Sequence, residues 1–130
     1  MKILQPSNWP KPKGYSNGIA AKGTNIFLAG MVGWNEREEF ESLDFVEQTR
    51  QALKNILIVL EEAGADASHI TRITWYFVDI VEYRASLKQL GAVYTEILGK
   101  VYPAMTGIQV AGLVEKDARL EIEVTAVIPD

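Results

Sequence analysis

Apolar and polar positions alternate most clearly at the end of the chain. Leu120, Ile122, Val124, Ala126 and Ile128 are interleaved with Glu121, Glu123, Thr125 and Val127. A period of two lays the first set along one face of a strand and the second set along the other, so residues 119–128 are predicted as a strand. Residues 70–78 are β-branched and aromatic and predict another, and the alternating run 107–113 predicts a third. Two short strands are expected at 17–21 and 25–29, with Lys22-Gly23-Thr24 as a hairpin turn between them. The period changes elsewhere. Phe45, Thr49, Ala52, Leu53, Ile56 and Leu60 recur at helical spacing behind Asp44 and Glu47, which are placed as in a capping box, and Gly64 marks the stop. Asp79 and Glu82 repeat that spacing ahead of Tyr83, Leu87, Leu90, Tyr94, Ile97 and Leu98, predicting a second helix that ends at Gly99. Residues 5–14, with Pro6, Pro10, Pro12 and Gly14, suit an irregular lead-in, and 30–41 reads as a loop.

The order ββαβαββ implies an α+β domain spanning residues 1–130, with two amphipathic helices on one face of a single sheet. A chain of 130 residues buries roughly 65–70% of its unfolded surface as one domain. The other sheet face, which carries Glu121, Glu123 and Thr125, has no cover of its own. It must either meet water or be buried against another copy.

Composition narrows the chemistry. A net charge of −4 without a basic stripe argues against a nucleic-acid partner. The absence of cysteine excludes disulfides, zinc-thiolate sites and a thiol nucleophile. His69 is the single histidine and does not build a metal site alone, so no metal or cofactor is expected. No segment has the apolar length of a signal peptide or a membrane span, which makes the cytoplasm the expected location. Candidate chemistry rests on Glu121 and Glu123, two carboxylates on one strand face. They are raw material for proton transfer if the face lines a cleft, and inert if it is solvated.

Several segments carry a family resemblance, in order along the chain. They are Gly14-Tyr15-Ser16-Asn17-Gly18, Ile26-Phe27-Leu28-Ala29-Gly30-Met31, the helix segment Gln48–Ile56, Trp75-Tyr76-Phe77-Val78-Asp79, Pro103-Ala104 and Leu120-Glu121-Ile122-Glu123-Val124. Together they resemble the Rid family, also called YjgF or reactive intermediate deaminase and formerly L-PSP endoribonuclease. The resemblance implies a chorismate-mutase-like α+β fold and a homotrimer. In it three sheets form a central barrel, and small-molecule ligands bind at the subunit interfaces. It also implies hydrolysis of an enamine or imine to a carbonyl compound and ammonia. The older ribonuclease label fits an acidic chain poorly.

Carried over by position, the resemblance makes Glu121 the water-orienting group and Tyr15 a hydroxyl donor to ligand. Ala29, Gly30, Met31 and Met105 fall around the ligand; apart from the resemblance, Trp34 lies just past the Ala29-Gly30-Met31 edge, where its flat face either roofs the pocket or packs as a loop aromatic. Two positions depart from the family pattern: Met105 replaces the arginine expected after Pro103-Ala104, and Ala29 replaces a serine. Methionine offers a soft apolar wall and no charge, so a carboxylate bound there lacks its ion partner. The expected substrate is therefore an imine other than the small 2-imino acids, more apolar or aromatic, with Arg72, Lys116 and Arg119 as the candidates to supply a cation from another direction. The alternative is a trimeric small-molecule-binding or regulatory protein without catalytic activity.

Overall fold

The apolar stripe of the first helical segment packs as its spacing predicts. In the computed structural model, which describes residues 1–130, helix α1 spans Phe45–Glu62 and buries Phe45, Thr49, Ala52, Leu53, Ile56 and Leu60. The Asp44 side chain caps it by accepting from the Glu47 N–H. The return half of the capping box is not made. The Asp44 N–H goes to Ser42 Oγ, and Glu47 pairs with Arg50 instead.

Ahead of α1 come β1 (Lys2–Ile3), β2 (Ile19–Ala20) and β3 (Gly23–Phe27). The expected hairpin between the second and third does not form. β2 pairs with β1, and β3 pairs along its length with the last strand. Gly23 is thus a strand residue. A Cβ built on it would stand 2.0 Å from the Ile128 carbonyl oxygen, and its φ of +151° lies where side chains are rarely found. Close backbone approach, not a turn, requires glycine here.

After a short 3₁₀ turn, β4 (Ile70–Phe77) follows as expected. The second predicted helix is divided in two, α2 (Ile80–Ala85) and α3 (Leu87–Leu98). The break is local: the Ser86 N–H turns back to the Tyr83 carbonyl, three residues away, while the Ser86 carbonyl accepts from Leu90 to open α3. Glu82 does not reach back to Asp79 but holds Arg119 at 2.6 Å, pinning α2 to the chain ahead of the last strand. β5 runs Ala104–Gln109, three residues earlier at its start than the sequence pattern predicts, and β6 covers Leu120–Pro129.

The four main strands are ordered β3-β6-β4-β5, with β4 and β5 parallel and the other neighbours antiparallel. One face meets α1 and α3 through Ile73, Phe77, Leu120, Ile122, Val124 and Ala126, all buried. Across the other face, cross-strand rows read Glu121–Tyr76–Ile108, Glu123–Thr74–Thr106 and Thr125–Arg72–Ala104. Only Val127 is buried on that face, and Phe27 on it is 78% exposed. No helix is long and apolar enough to cross a membrane.

Candidate functional site

Gly14 opens the first half of the site. Its φ of +81° is left-handed, and it turns the lead-in so that Ser16 docks on β5, the Ser16 N–H meeting the Pro103 carbonyl at 3.0 Å. The Ser16 hydroxyl donates to the Tyr102 carbonyl, and Ser16 bridges Ala104 as an added parallel partner. Tyr15 is thereby held beside Met105, and both line the same two cavities. Met105 pairs with Ile73, a core residue, so its side chain leaves the sheet on the helix-covered face.

The second half lies on β6. Leu28 donates to the Val124 carbonyl at 3.0 Å, and Met31 exchanges two backbone bonds with Ile122 at 2.8 and 2.9 Å. Between these contacts Ala29 and Gly30 stand opposite Glu123 alone, which makes a β-bulge. The bulge leaves the N–H groups of Ala29 and Gly30 without a protein acceptor. The Glu121 carboxylate packs over Gly30, where an added Cβ would lie 2.1 Å from Oε2. None of the ion pairs in the chain involves Glu121.

The structure therefore joins Tyr15 with Met105, and Gly30 with Glu121, but does not join the two pairs within one chain. Glu121 shares the uncovered face with Tyr76, Met105 emerges on the opposite face, and β4 separates their strands. Met31 follows its partner Ile122 toward the core and packs against it. Trp34 is tilted against Phe40 at 5.8 Å and lends its carbonyl to Asn55; it lines neither cavity that holds Tyr15. Of the three cations near the last strands, Arg119 is taken by Glu82. Arg72 lines the smaller cavity with Tyr15 and Met105.

Tyr76 stands between the two glutamates without having been singled out by the sequence. Its hydroxyl donates to Glu123 Oε1 at 3.3 Å. Burial first, then the negative charge of Glu123 and its hydrogen bond, raise the phenol above its ordinary value, so it stays a neutral donor. Its even-numbered phase on β4, shared with Arg72 and Thr74, was the available signal. Trp75 packs on the core and also forms part of the larger cavity's wall. That cavity, of about 460 Å³, lies between α3 and the β4–β5 edge and includes Lys13, Tyr83, Leu90 and Tyr94.

The family model described as endoribonuclease L-PSP matches residues 7–128. The chain belongs to the Rid family. A RutC family protein of Pyrococcus horikoshii is 34% identical over 127 residues, covering 96% of each chain. The Rid-family structure YyfB from Yersinia pestis superposes with a TM-score of 0.85 at 28% identity over 98% of both chains. The chloroplastic Reactive Intermediate Deaminase A of Arabidopsis thaliana is 33% identical over 113 residues, 86% of this chain and 57% of that protein. Rid membership and the α+β architecture thus agree with the resemblance read from the sequence, while helix number and the first strand pairings differ.

Proposed function

We propose that this chain is a hydrolytic deaminase that converts an enamine or imine to a carbonyl compound and ammonia, working as a homotrimer with its sites between subunits. The observation that carries this reading is Glu121: a half-buried carboxylate with no cation partner, seated over a bulge whose two N–H groups are free. Such a carboxylate can hold a water and take its proton as the oxygen bonds to the imine carbon. The carbon–nitrogen double bond becomes single, and the proton passes to nitrogen. Collapse of the resulting carbinolamine then expels ammonia and leaves the carbonyl. Water supplies both the oxygen and the hydrogens, so no oxidant or cofactor enters the balance. The Arabidopsis relative, named a reactive intermediate deaminase, supports the same reaction class.

Met105 supplies no charge and so disfavours small 2-imino acids: a carboxylate held against it that reaches neither Lys13 nor Arg72 is desolvated unpaired, at a cost of several kcal/mol. The same residue favours the second reading, a trimeric ligand-binding or regulatory protein that retains the pocket without the reaction. A coupled assay separates the two. Imines are generated in situ by an amino-acid oxidase or dehydratase, and ammonia release is followed with wild type and Glu121→Gln. Release that depends on Glu121 supports the deaminase. Binding of the corresponding 2-oxo products without any release, across small, branched and aromatic imines, supports the binding protein.

A further inference from the structure

We infer that the cavity beside α3 is a pocket for a flat aromatic ring bearing a single carboxylate, with Lys13 as the group that receives the charge. This takes the Tyr15–Met105 edge as the ligand site, as proposed above, and assigns the ligand's chemical class.

Four observations converge. The cavity's volume of about 460 Å³ falls in the range of small-molecule sites, and a three-carbon acid would leave most of it unfilled. Its walls are aromatic and fixed: Trp75 stacks on Phe77 at 6.3 Å and meets Tyr94 at 6.3 Å, while Tyr83 stacks on Phe77 at 4.2 Å. Rings held by other rings present a preformed slot to an incoming one. Lys13 is the only charged residue among the lining groups. Tyr94 does not compete for the charge, because its hydroxyl is spent on the Val101 carbonyl at 2.6 Å and burial keeps it protonated.

The fourth observation concerns two glycines. Both line this cavity, but Gly107, inside β5, has a packing reason, since a Cβ there would stand 3.3 Å from the Phe77 ring, whereas Gly91 lies inside α3, where glycine costs stability. A Cβ added at Gly91 would meet nothing within 4 Å, so neither helix packing nor backbone conformation demands glycine there. What glycine preserves at 91 is the space. Because Gly91 lines the cavity, a side chain there would take up part of it.

The test uses the full chain and three probes that do not react: indole-3-acetate, its neutral analogue 3-methylindole, and pyruvate. Binding is measured by calorimetry on wild type, Gly91→Leu, Lys13→Met and Arg72→Met. Indole-3-acetate should bind at least tenfold more tightly than pyruvate. Gly91→Leu should lose indole-3-acetate binding at least tenfold while its melting temperature stays level or rises, because leucine is the better helix former. Lys13→Met should weaken indole-3-acetate roughly 10–150-fold, the worth of a charged hydrogen bond, and leave 3-methylindole unchanged. Pyruvate binding as tightly as the indole acid, a folded Gly91→Leu with full affinity, or a loss confined to Arg72→Met would each overturn the assignment. Binding tests the pocket, and turnover separates it from the deaminase reading. Aromatic-acid binding with no imine hydrolysed would sink the deaminase reading and leave the pocket standing, whereas hydrolysis indifferent to Gly91 and Lys13 would do the reverse.

Discussion

Glu121 and Glu123 share a strand face and differ in what they touch, so their replacement should separate them. Glu121 meets a free bulge, whereas Glu123 holds the Tyr76 hydroxyl. Glu121→Gln keeps the shape and removes the base, and imine hydrolysis should fall by roughly 10²–10⁴-fold. Glu123→Gln should cost less than tenfold, since the amide can still accept from Tyr76. Equal losses in the same assay would point to a structural charge pair instead. Met105→Arg tests the proposed departure from the family pattern. It should raise affinity for pyruvate by roughly 10–150-fold, the value of a charged hydrogen bond, in a titration beside wild type. No gain would mean that the pocket differs from its relatives in shape as well as charge. At this scale the sequence was informative about single residues and silent about their grouping. Nothing in a linear pattern tells that Met105 and Glu121 leave the sheet on opposite faces, because that depends on the registers of β4 with both neighbours.

Elements with a long periodic stripe were legible, and short ones were not. α1, β4 and β6 lie within one or two residues of their predicted bounds, because each buries a face that only one period can fill. The hairpin expectation failed at Gly23, where a turn residue proved to be a packing residue. Gly23→Ala should therefore destabilise the fold by more than about 1 kcal/mol, read from urea unfolding, with protection of the β3 amides lost first. The division between α2 and α3 was hidden because Ser86 does not interrupt the apolar spacing that runs through it. Within α3, burial foremost and then Tyr102 hold the Tyr94 phenol well above its ordinary value of 10.0. A group that binds its proton more tightly when folded contributes stability below its unfolded value and loses it as pH rises through that region. Thermal stability should thus decline above pH 10, and Tyr94→Phe should flatten that slope even though it starts from a less stable fold.

At the scale of the whole molecule, a 130-residue domain with helices on one sheet face leaves the other face uncovered. Exposed Phe27 and Ile108 share that face with Arg72 and the two glutamates, so it offers apolar area and both signs of charge to another copy. Light scattering should give about three times the 14.5 kDa chain mass. A monomer at micromolar concentration would remove the inter-subunit site.

The separation of Tyr15 with Met105 from Gly30 with Glu121 has a genetic counterpart. If each working site draws one pair from each of two subunits, a lesion in either pair disables its own contribution and leaves the other intact. Two inactive alleles, Tyr15→Phe and Glu121→Gln, should then rescue one another when co-expressed. Random assembly would restore about one quarter of the sites, whichever allele is tagged. Two alleles altered in the same half would restore none, and a strain carrying such a pair should remain as sensitive to the accumulating imine as one that lacks the gene.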